Sequence, residues 1–132
     1  MKITVDTNIL VRAVVCDDTE QAAVAARLLR EAEVIAVSLT CLCEFVWVLR
    51  RVYSLDVSDI RAALLALLDA GNVAVNRPAA DAGLAMLDAG GDFADGVTAF
   101  EGKWLGGEAF VSFDRKAVSA LVRQGREARV PG

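Results

Sequence analysis

Acidic side chains are the residues of this chain whose types and spacing could do chemistry. The chain has no histidine, which excludes histidine general bases, serine–histidine and cysteine–histidine nucleophiles, and imidazole zinc ligands. Carboxylates that come together raise each other's pKa, and a divalent cation removes that conflict. Ligands that are all oxygen favour hard ions such as Mg²⁺ or Mn²⁺. The carboxylates that stand out by position are Asp6, Glu44, Asp92, Asp95 and Asp114.

A hard dication would give these carboxylates a reaction that needs no histidine. It makes bound water a better nucleophile and stabilises charge on a phosphate oxygen, so the composition suits phosphodiester hydrolysis. Other roles stay open for single residues. Glu44 is the only charged residue of the apolar stretch 39–49, so it is a buried carboxylate, a partner of an arginine such as Arg12, or a residue on an exposed stripe. Asp92 is also a natural helix N-cap.

The elements that must position these side chains alternate between strands and helices. Short β-branched runs predict strands at 2–5, 34–37, 73–75, 109–113 and 128–130, with helically spaced segments between them. The alternation predicts an α/β fold, a three-layer α/β/α sandwich with a parallel sheet of about five strands. We take the strand order 3-2-1-4-5 as a hypothesis. Asp6 and Asp114 then follow neighbouring strands at the point where the winding reverses, which is where such sheets bind ligands.

Length and composition favour one globular domain over residues 1–132. The chain is 55% hydrophobic with a net charge of −4, which excludes a disordered chain and a polycation that coats nucleic acid. Its three cysteines, an odd number, predict reduced thiols and a cytoplasmic location. Asp6 and Arg12 interrupt any signal peptide, and no apolar run is long enough for a membrane helix. We therefore expect no membrane association.

Four motifs, in the same order and with similar spacing, resemble those of the PIN domain family. They are the segments VDTNIL (5–10), SLTCLCEFVWVL (38–49), DFADGVTA (92–99) and SFDRK (112–116). The short chain is further similar to the VapC-type toxins of bacterial and archaeal toxin–antitoxin pairs. The resemblance implies a ribonuclease that depends on Mg²⁺ or Mn²⁺ and cleaves single-stranded or loop RNA.

The resemblance also implies roles for particular residues. Catalytic and metal-binding positions fall on Asp6, Glu44, Asp95 and Asp114. Asp95 matches the family better than Asp92, which would act through water or only as a helix cap. Near them, Thr7 and Asn8 would orient Asp6, and Ser112 keeps a hydroxyl where threonine is commoner. Gly96 departs from the family's usual alanine, and we expect it to change helix packing slightly.

Partners follow from the resemblance as well. It implies a cognate antitoxin of the VapB type, whose C-terminal segment wraps the toxin, together with a homodimer and larger toxin–antitoxin assemblies. RNA contacts are expected from cations near the rim of the acidic pocket, although each is also explained as an ordinary solvated charge. These cations are Arg12, Arg50, Arg115 and Lys116, with Arg51 and Lys103 as further candidates.

The sequence leaves two other functions open, and it also leaves open the role of two tryptophans. The alternatives are a non-catalytic PIN-like binding protein and a receiver-like phospho-switch. The switch needs a lysine at a late strand end, and none of Lys2, Lys103 and Lys116 clearly supplies it. Trp47 and Trp104 could stack on bases, but we expect them to lie in helix cores.

Overall fold

The computed structural model describes all 132 residues, and these form two compact units. The first unit is Met1–Asn76 and the second is Arg77–Gly132. Each is built of helices and parallel strands, as the alternating sequence pattern predicts. A single domain over 1–132 stays a prediction.

The first unit holds three strands and four helices. Its strands are parallel, and β1, β2 and β3 are neighbours in that order, with Ile3 opposite Ile35 and Ile35 opposite Val73. Apolar side chains of α1, α3 and α4 form the core, among them Leu10, Phe45 and Leu64. The elements are β1 (Lys2–Thr4), α1 (Thr7–Val14), α2 (Thr19–Glu31), β2 (Val34–Ala36), α3 (Leu39–Arg51), α4 (Val57–Leu68) and β3 (Val73–Ala74).

Side-chain oxygens begin each helix of the first unit. Backbone N–H groups of the first turn have no partner inside a helix, so a preceding carboxylate or hydroxyl that accepts from them fixes where the helix starts. The N-caps of α1 to α4 are Asp6, Asp18, Ser38 and Asp56. Helix α1 therefore begins at Thr7, because Asp6, two residues after the end of β1, caps it.

The second unit holds three helices and a pair of parallel strands. Its elements are α5 (Arg77–Asp88), α6 (Phe93–Trp104), β4 (Phe110–Val111), α7 (Arg115–Arg123) and β5 (Ala128–Arg129). Strands β4 and β5 pair with Phe110 opposite Ala128. Met86, Ala99, Ala117 and Leu121 belong to its core.

Helices α5 and α6 pack so closely that one position has no room for a side chain. A Cβ on Gly96 would lie 2.5 Å from the carbonyl oxygen of Ala82 and 2.7 Å from Cβ of Met86. Gly96 therefore lets α6 approach the backbone of α5 at the turn that follows Asp95.

The strand orders agree with two parts of the predicted sheet. The order 3-2-1 is that of the first unit, and the pair 4-5 is that of the second. The neighbourhood of β1 and β4 stays a prediction. None of the helices has the length and apolar character needed to cross a membrane.

Candidate active site

The end of β1 brings the first two acidic motifs together. Asp6 caps α1, and its Oδ1 accepts a hydrogen bond of 3.2 Å from the backbone N–H of Ile9. Thr7, the next residue, donates from its hydroxyl to Oε2 of Glu44 over 2.8 Å. Glu44 lies 37 positions further along the chain, in α3. The hydrogen bond thus joins α1 to α3 and holds the Glu44 carboxylate beside the Asp6 motif. The structure shows Thr7 in contact with Glu44, whereas the sequence had predicted that it orients Asp6.

Of the alternatives that the sequence left open for Glu44, the structure shows the residue on an exposed stripe. Its side chain is exposed rather than buried, because it lies on the outer stripe of α3 three residues before Trp47. Arg12 is not its partner: Arg12 Nη1 lies 2.7 Å from Oδ1 of Asp17. The hydrogen bond from Thr7 is what fixes the carboxylate in place.

Cys41 lies beside this pair and stays a thiol. Its Sγ is 3.8 Å from the Thr7 hydroxyl, and the residue is buried. Burial raises the pKa of the Cys41 thiol, and the charges of Asp6 and Glu44 raise it further, against a lowering by the Thr7 hydrogen bond. A neutral thiol is a poor metal ligand. The side chains here that could bind a metal ion are therefore the carboxylates of Asp6 and Glu44, which offer oxygen atoms.

The second unit groups the remaining three carboxylates. Burial raises the pKa of Asp95, and the negative charges of Asp92 and Asp114 raise it further. Asp92 and Asp114 are therefore both close enough to Asp95 for their charges to act on it. Asp92 caps α6, with Oδ1 accepting from the N–H of Ala94 at 2.9 Å, which confirms the capping role predicted for it.

Asp114 is held on both sides by hydrogen bonds. Its Oδ1 caps α7 by accepting from the N–H groups of Lys116 and Ala117 at 3.0 and 3.2 Å. Its own N–H donates to Oγ of Ser112 at 3.0 Å. The Ser112 hydroxyl thus fixes the backbone of Asp114, and with it the point from which the carboxylate projects.

The chain matches the model of a known protein family. The family model described as the PIN domain matches residues 3–121. The chain belongs to the PIN domain family. The predicted fold class, an α/β/α sandwich with parallel strands, is confirmed by this membership. PIN domains are generally nucleases, and they commonly depend on Mg²⁺ or Mn²⁺. No curated protein matches the chain.

The acidic residues of this PIN domain have the donor chemistry of a hard dication. All are carboxylates, and the thiol nearest to them is neutral. No group of three or more aspartate, glutamate or cysteine side chains is placed to hold a metal ion together. The role of each carboxylate as a ligand therefore stays a prediction, and so does that of Asn8, which is exposed beside Thr7.

The cations that were predicted to meet RNA differ in their surroundings. Arg12 is held by Asp17, Gln21 and Tyr53, with Nε 3.0 Å from Oε1 of Gln21 and Nη1 3.3 Å from the Tyr53 hydroxyl. Its guanidinium thus already has partners within the first unit. Arg50 is half-buried, whereas Arg115 and Lys116 are exposed at the start of α7.

The aromatic residues correct another expectation. Trp47 and Trp104 were predicted to lie in helix cores, but their exposed fractions are 58% and 83%. Phe113, which was not singled out, is exposed to 83% as well. Its position directly before Asp114 was the feature of the sequence that could have drawn attention to it. Tyr53 was also missed, because its contact with Arg12 spans 41 positions.

Proposed function

We propose that this PIN domain is an endoribonuclease that uses Mg²⁺ or Mn²⁺ to cleave single-stranded or loop RNA. The observation that carries the proposal is the hydrogen bond of 2.8 Å from Thr7 to Glu44. It holds the second acidic residue beside the first, in a chain whose family is generally nucleolytic. A carboxylate that served only to solubilise the surface would need no such fixed position.

Four carboxylates would hold the cation: Asp6, Glu44, Asp95 and Asp114. Asp92 would help through water or act only as the cap of α6. When bound, the cation lowers the pKa of water and stabilises charge on the phosphate. The residues of the chain position the reacting groups. Thr7 keeps the Glu44 carboxylate in place, and Ser112 fixes the backbone from which Asp114 projects.

The RNA strand would be held by cations next to the fourth motif. Arg115 and Lys116 are exposed directly after Asp114, so they can pair with the phosphates on either side of the cleaved bond. Arg50 would contribute from α3. A single strand or loop is the expected substrate because duplex RNA keeps its bases stacked inside the helix.

We further propose that the nuclease is the cytoplasmic toxin of a toxin–antitoxin pair, with a VapB-like antitoxin and a homodimeric or larger assembly. The motif resemblance supports this. Apolar surface in the first unit is what such a partner segment would cover. The unit has a cavity of about 260 Å³ whose lining includes Leu10, Val14 and Leu67, and α2 exposes Val24 and Leu28.

The nuclease proposal is tested with purified protein, single-stranded RNA and either Mg²⁺ or Mn²⁺, with EDTA as the metal-free control. Asp6→Asn and Asp114→Asn are the sharpest variants, because asparagine caps a helix as well as aspartate does. We expect each to lower the cleavage rate by at least about 100-fold, since a bound cation supplies several kcal/mol of transition-state stabilisation. RNA binding with no metal-dependent cleavage would identify a non-catalytic PIN-like binding protein instead.

The toxin proposal has a separate test in cells. Induced expression of the wild-type chain should arrest growth, and Asp114→Asn expressed to the same level should not. Co-expression of the product of a neighbouring small reading frame should restore growth. Unimpaired growth with an active nuclease would show that the enzyme is not a toxin.

A further inference from the structure

One phenylalanine of the second unit lies on the surface, unlike the two that are fully buried. Phe113 lies in the short turn between β4 and α7, and 83% of its surface is exposed. Phe45 and Phe93, by contrast, are 1% exposed. Single exposed apolar residues are common on protein surfaces. The exposure of Phe113 therefore matters only together with its position beside Asp114.

The backbone around Phe113 is fixed by hydrogen bonds on both sides. Before it, the N–H of Ser112 donates to the carbonyl oxygen of Arg129 at 3.2 Å. After it, the N–H of Asp114 donates to Oγ of Ser112 at 3.0 Å, and Asp114 caps α7. An exposed ring on a fixed backbone loses little conformational entropy when a ligand covers it. The turn is therefore suited to present the ring to a partner.

The residues next to the ring are of the types that contact single-stranded nucleic acid in other proteins. Proteins hold such strands by stacking bases on aromatic rings while cations contact the phosphates. Arg115 and Lys116, both exposed, follow Phe113 by two and three positions. The Cα atoms of Phe113 and Asp114 are about 3.8 Å apart, so the ring and the fourth acidic residue share one turn. Charge complementarity therefore favours an RNA strand as the occupant.

Trp104 provides the comparison within the same unit. It is as exposed as Phe113, at 83%, but it ends α6, whereas Asp95 lies in the first turn of that helix. A helix rises about 1.5 Å per residue, so Trp104 lies about 13 Å along the axis from Asp95. The two residues are thus equally exposed, but Phe113 is next to an acidic residue of the four motifs along the chain and Trp104 is not.

We propose that Phe113 stacks on one unpaired base of the bound RNA, next to the phosphate that is cleaved. The inference rests on the proposed function for the identity of the ligand. The stacking adds a requirement on the substrate: the RNA strand must have a base that can unstack from the adjacent bases and lie on the Phe113 ring. Duplex RNA cannot do so, because its bases are paired and stacked.

The experiment measures binding without turnover. In the Asp6→Asn background, the dissociation constant of a fluorescent single-stranded RNA is measured with Mg²⁺ for Phe113→Ala, Phe113→Leu and Phe113→Tyr. Loss of one stacked base should weaken binding about tenfold in the alanine and leucine variants, while tyrosine keeps the affinity. Trp104→Ala is the matched control and should change the affinity by less than about twofold.

A second arm identifies the base. Abasic nucleotides are introduced one at a time, and one of them should weaken binding to the parent as much as Phe113→Ala does. Binding of that RNA should then be unaffected by Phe113→Ala. Equal affinities for Phe113→Ala and the parent, additive effects of the two changes, or no binding of single-stranded RNA would overturn the inference.

If Phe113→Ala instead abolishes only self-association or capture of a protein partner, the ring is a protein contact and the inference is wrong. Binding that follows the expected pattern while the wild-type chain cleaves nothing would remove the proposed function and keep the stacking residue.

Discussion

Thr7 and Glu44 are joined by a hydrogen bond of 2.8 Å across 37 positions of sequence. Glu44 is exposed, and its side chain would otherwise sample many rotamers in water. The Thr7 hydroxyl at the start of α1 restricts the Glu44 carboxylate to the vicinity of Asp6, the residue that caps α1. The carboxylate of α3 is thus positioned by a neutral residue on another helix.

The first prediction concerns this hydrogen bond. Thr7→Val keeps the shape of the side chain but removes the donor, so Glu44 loses its fixed position. RNA cleavage at subsaturating Mn²⁺ should fall about 10- to 100-fold, the usual effect of removing a group that orients a metal ligand. Thr7→Ser keeps the hydroxyl and should stay close to the wild-type rate. Equal rates for Thr7→Val and the wild type would show that Glu44 needs no support.

A second prediction separates two kinds of cation. Arg12 already has Asp17, Gln21 and Tyr53 as partners, so Arg12→Met should lower the melting temperature and leave the salt dependence of RNA binding unchanged. For Arg115→Gln with Lys116→Gln, the slope of log K against log salt should fall by about 0.7 for each phosphate that the protein no longer neutralises. Fluorescence anisotropy over a salt series measures both slopes. A smaller slope for Arg12→Met would place that arginine on the RNA after all.

The third prediction compares two glycines of α6. A Cβ on Gly96 would meet the backbone of Ala82 at 2.5 Å, whereas a Cβ on Gly102 would meet nothing within 4 Å. Gly96→Ala should therefore lower the free energy of unfolding by about 1–3 kcal/mol. Gly102→Ala should raise it by about 0.5–1 kcal/mol, because alanine favours the helix. Urea unfolding of both variants measures the difference, and similar effects would contradict the close approach of α5 and α6.

A fourth prediction concerns acid pH. The N–H of Asp59 and the hydroxyl of Ser58 hold the pKa of Asp56 below its ordinary value of 3.8. A carboxylate whose pKa is lowered by folding stabilises the protein above its ordinary pKa, and that contribution is lost as the pH falls through the lowered value. Asp56→Asn keeps the cap but does not titrate. The melting-temperature difference between wild type and Asp56→Asn should be largest near neutral pH and shrink below pH 3.8. A difference that is constant with pH would remove this role of the charge.

Local patterns predicted most of the elements because each helix and strand carries its own start signal. Asp92 and Asp114 were placed at helix starts from the sequence, and both cap the helices that follow. The parallel direction of the strands followed from the alternation of elements.

Contacts between distant residues were beyond these patterns. The Thr7–Glu44 hydrogen bond and the Arg12–Tyr53 contact join positions whose separation carries no periodic signal. Trp47 was expected inside because α3 is so apolar, and burial was one alternative for Glu44, yet both residues share its exposed stripe. Their spacing of three residues did contain that information, but the overall hydropathy of the helix hid it.

Mn²⁺ binding measured by isothermal titration calorimetry tests the central claim most directly. The claim is that carboxylates from all four motifs hold a hard dication for RNA cleavage. Wild type and the control Asp56→Asn should bind Mn²⁺ with the same affinity, and Asp6→Asn and Asp95→Asn should each bind at least about tenfold more weakly. Folding of each variant is checked by its melting curve. Equal affinities in all four proteins, or no binding by the wild type, would contradict the account.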